Sequence, residues 1–255
     1  MATSDAEDLV IAAGQVFQAH GNLVYGSVTI AAGGQIMITG AGSLSARSLD
    51  AQLEGNGQPS PVRSVVYGPP GAGGPPGQTG PMGANGAPGR PGASGGPGGT
   101  GGPGSIGPAG AAFTISLGTF TGYLTLSPAG GAGGKGGAGG TGGAGGAGSG
   151  AAGGNGGPGG YGGSGGNGGA GGTIRLNIAD DVGDGKIAVF DAMSAGGAGG
   201  PGGPDGQGGS GSPPGGTGSP GTPGKAGQAG APGYVIVQHG AKAHEHHVPP
   251  EQAER

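Results

Sequence analysis

Apolar side chains in this chain come in short alternating runs, and between the runs the apolar signal vanishes. The first stretch covers residues 9 to 50 (LVIAAG, QVFQAHGN, LVYGSVTIAAGG, QIMITGAG, SLSARSLDA), where Val28, Ile30, Ile36, Ile38, Leu44 and Leu49 recur at short spacing between glycines. Such runs, bounded by turn formers, predict several short strands in a small sheet or a solenoid-like coil. Residues 113 to 127 (FTISLGTFTGYLTLS) repeat the pattern. Phe113, Ile115 and Leu117 alternate on one arm and Leu124 and Leu126 on the other, with Gly118 and Gly122 bounding a turn. That spacing predicts a hairpin with Phe120 and Tyr123 at its tip. TIRLNI and KIAVFDAM, joined by ADDVGDG, predict a second hairpin, and YVIV at 234–237 a last strand.

Between these runs glycine takes over with a period of three. Residues 130 to 172 hold glycine at two positions of each triplet and place Ala132, Lys135, Ala138, Thr141, Ala144 and Ala147, then Asn155, Pro158, Tyr161, Ser164, Asn167 and Ala170, at the third. A period of three belongs to the extended left-handed helix with about 3.1 Å rise per residue. It excludes α-helices and strands, whose periods are 3.6 and 2. Each residue class then lies along one of three edges, so two edges are bare and neighbouring backbones can touch. The register breaks at 149–152 and resumes at Gly153. A reversal there gives two helices of about 20 residues, some 60 Å long.

From 68 to 110 glycine stands at every third position without a break, and proline fills close to a quarter of the stretch. This segment is collagen-like. Two architectures fit it, a three-chain rod or single-chain threefold helices side by side, and a homotrimer through 68–110 stays open. Residues 196 to 233 form a third period-three block rich in proline.

Composition turns the pattern into a constraint on energetics. With 79 glycines, 23 prolines and 4% aromatic residues in 255, the chain cannot assemble a large apolar core. Ordering the backbone costs about 1 to 2 kcal/mol per residue, with glycine at the expensive end. Backbone hydrogen bonds between adjacent helices, at about 0.5 to 1.5 kcal/mol each, must offset it. A net charge of -4 without a basic cluster argues against nucleic acid and anionic membrane surfaces. Cysteine is absent, which removes disulfides and thiolate metal sites. The start MATSDAEDLV shows neither a basic nor an apolar leader region, so a secretory signal is not expected.

Candidate chemistry is sparse. GxGxxG matches recur throughout and lack the strand and helix that a phosphate cradle requires. Gly134-Lys135 has Ala129 and Gly136 where a Walker motif needs glycine and Ser or Thr. Asp180, Asp181 and Asp184 crowd one turn, where hard oxygens could meet calcium, but the spacing is that of a solvated turn. His239, His244, His246 and His247 with Glu245 lie in a polar tail with nothing to fix metal geometry. No enzyme, no cofactor and no resident metal are expected. Contact residues are sought instead at loop tips, with Phe120, Tyr123, Asp180, Asp181 and Asp184 as candidates and Tyr161 on an outward helix edge.

Tracts such as GGAGGKGGAGGTGG and GGNGGPGGYGGSGGNGGAGG, interrupted by TFTGY and ADDVGDG, resemble the glycine-rich distal adhesins of bacteriophage tail fibres. The resemblance covers residues 113 to 239 and implies a sandwich of polyglycine II helices whose terminal loops bind a bacterial surface receptor, a glycan or a protein. It implies other fibre or tail subunits as partners and a virion location after assembly in the cytoplasm, with a cell-surface or extracellular site as the alternative. Period-three glycine is also similar to mycobacterial glycine-rich surface proteins and springtail antifreeze proteins. The expected fold is mostly non-α. It comprises a β-rich attachment or nucleating domain at 1–67, a collagen-like segment at 68–112, a glycine-helix bundle with β-hairpin loops at 113–239 and a flexible tail at 240–255. Receptor binding is the leading expectation, a structural filament the second and ice binding the third.

Overall fold

The computed structural model describes residues 6–52, 63–65, 72–180, 185–189, 193–240 and 242–246. Among them there is no α-helix, and nine strands form one sheet. The strands are β1 (Leu9–Ile11), β2 (Val16–Ile30), β3 (Gln35–Ala51), β4 (Arg63–Val65), β5 (Ala112–Ser127), β6 (Thr173–Ile178), β7 (Lys186–Val189), β8 (Tyr234–His239) and β9 (Lys242–His246). Every pairing is parallel except β8 with β9.

Both predicted hairpins are corrected. The stretch read as the first hairpin is the single strand β5, and β6 and β7 pair in parallel with β5 and not with each other. Alternation identified the strands, but it carries no information on their direction. The Gly118–Gly122 region bends without reversing: Gly122 takes φ +87° where its backbone lies against Ala51. Phe120 consequently lies inside, 3% exposed, and is not a tip residue.

Parallel register lines like residues into columns. Leu23, Leu44, Ile115, Leu176 and Val237 stack across β2, β3, β5, β6 and β8. Beside them Gly42, Phe113, Ile174 and Val235 form a second column, and Val28, Leu49 and Phe120 a third. Apart from Gly42 and the half-buried Leu23, these side chains are buried in one apolar cluster. The period-two alternation of the strands thus supplies one inward face, with a hydroxyl- and amide-rich face opposite.

The sheet also fixes where the glycine tracts begin and end. In β3 the chain passes from Met37 to Gly42 directly, and Met37 shares register with Val65 while Gly42 shares register with Phe113. On the next turns of the coil, the step from Val65 to Phe113, from Ser127 to Ile174 and from Val189 to Val235 contains a glycine block. Each block is therefore an insertion at the same corner of a parallel coil. Phe113, Ile174 and Val235 recur at an interval of 61 residues, which is the length of this coil-plus-excursion unit. An out-and-back excursion returns the chain to the edge it left, so the next strand runs in the same direction. The arms of each expected hairpin follow one another round a single turn of the coil and pair with the turns before and after, 113–117 with β3 and β6 and 123–126 with β4 and β7, which is why the pairing is parallel where hairpins were expected.

Each excursion is a pair of tracts: 72–88 with 90–110, 128–148 with 152–172, and 194–210 with 214–233, numbered here tracts 1 to 6. Backbone amides at every third residue bond the tracts together. Gly140 of tract 3 donates to Gly99 of tract 2 at 2.8 Å and accepts from Gly160 of tract 4 at 2.8 Å. Its neighbour Gly139 donates to Pro201 of tract 5 at 2.9 Å, and Ala138 accepts from Gly77 of tract 1 at 2.7 Å. Tracts adjacent in sequence run antiparallel and tracts two apart run parallel, giving a zigzag of two layers, odd and even.

Glycine content follows the number of bonded neighbours. Tracts 3 and 4 each bond four others and carry two glycines per triplet, whereas tracts 1 and 6 bond two others and carry mostly one. A Cβ on Gly140 would fall on the carbonyl of Gln78, a backbone group with nowhere to go. The third position of each triplet faces out: Asn155, Pro158, Tyr161, Ser164, Asn167 and Ala170 are all exposed. The amides of 74–110 that a three-chain rod would use between chains are thus spent within this one. The reversal expected at 149–152 is present, with Gly150 at φ +70°.

Candidate recognition surface

Three turns lie at the end of the glycine layers away from the sheet, at 87–90, 149–151 and 211–213, and the backbone ties them to one another. Gly89 donates to the carbonyl of Ser149 at 2.7 Å, and Ser149 donates to that of Arg90 at 3.2 Å. Ser212 donates to Ala151 at 3.0 Å, and Gly153 to Pro213 at 3.0 Å. Gly89, at φ +73°, and Gly150 occupy the left-handed region that these reversals demand. Pro88, Arg90, Ser149, Ser212 and Pro213 are exposed. The turns therefore make one surface, with a single cation and two hydroxyls, supported along its depth by the amide ladder.

The residues singled out from the sequence do not gather there. Phe120 is in the sheet core, stacked in register with Leu49. Tyr123 is half-buried in β5 and pairs with Lys186. Asp180 is exposed just past β6, its amide donating to Gly118 at 2.9 Å. Asp181 and Asp184 lie outside the described residues. Tyr161 is 63% exposed on the even-layer face, midway along tract 4. Among the described residues no group of three or more His, Asp or Glu comes together as a metal cluster. His244 and His246 fall within β9, where the sequence suggested a flexible tail, and His247 lies outside the described residues.

The turn at 149–151 was visible as a loss of the glycine register. The turn at 211–213 carries the same signal, since Ser212 stands where the spacing of Gly203, Gly206, Gly209 and Gly215 calls for glycine. The turn at 87–90 gives no such sign, because Gly86, Gly89 and Gly92 keep the period through it.

Charge is divided between the two regions. The tracts carry Arg90, Lys135 and Lys225 against the single carboxylate of Asp205, so they are basic within a chain whose net charge is -4. Lys135 and Lys225 sit on opposite faces, and Arg90 alone is at the turns. Among the described residues no helix is long and apolar enough to cross a membrane.

No protein-family model matches the chain, and no curated protein matches it. A search of solved structures finds the nine-helix polyproline type II bundle antifreeze protein of the springtail Granisotoma rainieri, 36% identical, covering 61% of this chain and 94% of that one, with a TM-score of 0.13. At that score the two backbones do not superpose, and nothing is transferred from the likeness.

Proposed function

We propose that this chain is a non-enzymatic structural and recognition protein whose six tracts are polyglycine II and polyproline II helices, and whose free-end turns contact a receptor on a bacterial surface. The reading takes the parallel coil as the mount and the glycine layers as a rigid spacer of about 60 Å. The supporting observation is the mutual hydrogen bonding of the turns at 87–90, 149–151 and 211–213, which fixes three short loops as one surface. Contact residues on a rigid support lose little entropy on binding, so a small surface suffices. A phage tail-fibre adhesin is the biological setting that this arrangement suits, with a glycan or surface protein as receptor and other tail subunits as partners.

The test is binding of the purified, fluorescently labelled chain to a panel of bacterial strains. Arg90→Ala combined with Ser212→Ala is expected to lower binding at least tenfold without moving the thermal transition. A native chain that binds no strain, or a double variant that binds as well as the native one, overturns the reading.

A structural filament is the second reading, and one feature favours it. Residues 16–25 of β2 have no strand on their outer side among the described residues, since β1 covers only 28–30 and Glu7 reaches only Gly26. Val16 and Val24 are 46% and 67% exposed along that edge. An open edge without charge or proline is a template for pairing with another chain. Polymers that grow with concentration in sedimentation experiments would favour this reading over the adhesin.

A further inference from the structure

The sheet holds a trough that the proposed receptor surface does not use. Its volume is about 450 Å³, within the usual range of small-molecule sites. It forms where β5, β6 and β8 reach the far corner of the coil. Ala179 donates to the carbonyl of Leu117 at 2.9 Å, and Gly240 to that of Ile178 at 2.9 Å. These bonds hold Gly118, Ala179 and Gly240 along the trough.

One bank of the trough is a polar ladder. Ser116, Asn177 and Gln238 share a register across the three strands, so their side chains succeed one another at the strand spacing of about 4.8 Å. All three are half-buried. Among the described residues no protein group hydrogen-bonds to the side chains of Ser116 or Asn177, and Gln238 makes only a long contact from Nε2 to the carbonyl of Gly240 at 3.4 Å. Half-buried side chains with donors and acceptors unused within the protein are available to a partner from outside the chain, water or ligand.

We infer that this trough is a binding site for a neutral saccharide. Among the described residues no charged side chain lines it, which leaves no basis there for selecting an anion or a cation. A primary amide offers a donor and an acceptor side by side, the pattern that adjacent sugar hydroxyls complement. Leu117 and Ile178 border the trough with their backbone, their side chains being buried in the core at 3% and 4% exposed, so the exposed methyl of Ala179 is the apolar contact offered to the C–H surface of a sugar ring. An extended peptide is a poorer fit, because the backbone groups of β5 and β6 here are already paired with neighbouring strands and offer no edge to augment. The inference stands independently of the free-end turns, which lie at the other end of the molecule.

Saturation-transfer NMR and calorimetry on the full chain test it, using di- to tetrasaccharides of glucose, galactose and N-acetylglucosamine as probes. At least one probe is expected to bind, with affinity reduced about tenfold by Asn177→Ala and by Gln238→Ala and unchanged by Thr79→Ala in tract 1. Absence of binding by every probe means that water alone fills the trough and overturns the site. Binding that both variants leave intact places the sugar elsewhere and overturns it equally. Stronger binding of a carboxylated analogue overturns the assignment of a neutral ligand.

Discussion

The sheet and the glycine layers are two answers to the same energetic problem, built from one chain in alternation. In the sheet, side chains do the work: Ile30, Leu126, Ile174 and Leu176 are 0% exposed and stack column on column. In the tracts, the absence of side chains does it, since amides meet carbonyls across a gap that a Cβ would close. The first solution tolerates exchange among apolar residues of similar volume. The second has a single permitted residue at every contact and near-freedom at every outward position. The stability of the molecule should therefore respond to substitutions by opposite rules in its two halves.

The largest effect should come from the sheet. Phe120→Ala removes a ring that is 3% exposed and stacked with Leu49, and truncation of such a residue costs about 4 kcal/mol. Thermal unfolding should show it as a large fall in Tm. A loss of cell binding with unchanged Tm would instead return Phe120 to the exposed position that its spacing between Gly118 and Gly122 suggested.

Gly140→Ala should come next. Its added methyl meets the backbone of Gln78, and both tracts are held on further sides by other tracts, so strain of about 3 kcal/mol is expected. The neighbouring Ala138→Ser, at a half-exposed outward position, should stay within about 0.5 kcal/mol. Native-state hydrogen exchange sharpens the contrast: in Gly140→Ala, amides of tracts 2 to 4 should lose protection while those of β5 and β6 keep it. Equal tolerance at 140 and 138 would break the distinction between the two regions.

How far this was legible in the sequence depends on which kind of information each region uses. Period three at 130–172 is a steric requirement at every residue, so the tracts, their outward positions and the reversal at 149–152 could be read directly. The strands were also legible, because Ile115, Leu117, Leu124 and Leu126 must alternate to bury one face. Direction was not, since a parallel and an antiparallel strand need the same alternation. Direction is decided by how one run is linked to the next: 118–122 bends within β5 without reversing, and β6 and β7 follow each other along the same turn of the coil, both pairing in parallel with β5. Phe120 was misplaced for the same reason, since a tip exists only if the chain reverses there. The trough lined by Ser116, Asn177 and Gln238 could not be seen at all, because it rests on register between residues 61 positions apart.

A smaller effect should appear where the tract layers run out of neighbours. Asn155 Oδ1 accepts from the amide of Gly216 at 2.9 Å, Asn167 Oδ1 from Gln228 at 2.9 Å and Asn85 Oδ1 from Ala147 at 2.9 Å. Here a side chain on an outward edge supplies acceptors to an adjacent tract. Asn155→Ala should cost about 1 kcal/mol, the net value of one such bond, with faster exchange confined to the start of tract 6. A loss as large as that of Gly140→Ala would show that outward positions are not free, and the rule contrasting them with glycine positions would fail.

The smallest effect separates the two regions by chemistry and not by packing. The bonds of the glycine layers join amides to carbonyls, which do not titrate between pH 2 and 9. The exposed end of the sheet does titrate: the amide of Ser27 donates to Asp8 Oδ1 at 2.7 Å. Hydrogen bonds from the side chain and backbone of Ser27, with a lesser attraction from Arg47, hold the Asp8 carboxyl below its ordinary range. A carboxylate depressed in the folded state stabilises it fully above the unfolded pKa, and that contribution is lost as pH falls through the folded value. Acidification from pH 6 toward 3 should therefore lower the protection of the Gly26 and Ser27 amides, measured against their intrinsic exchange rate at each pH, while tracts 3 and 4 keep theirs. Asp8→Asn should remove the pH dependence at those two amides, and a tract ladder that loosened in parallel with them would mean that the layers depend on the sheet's charged end after all.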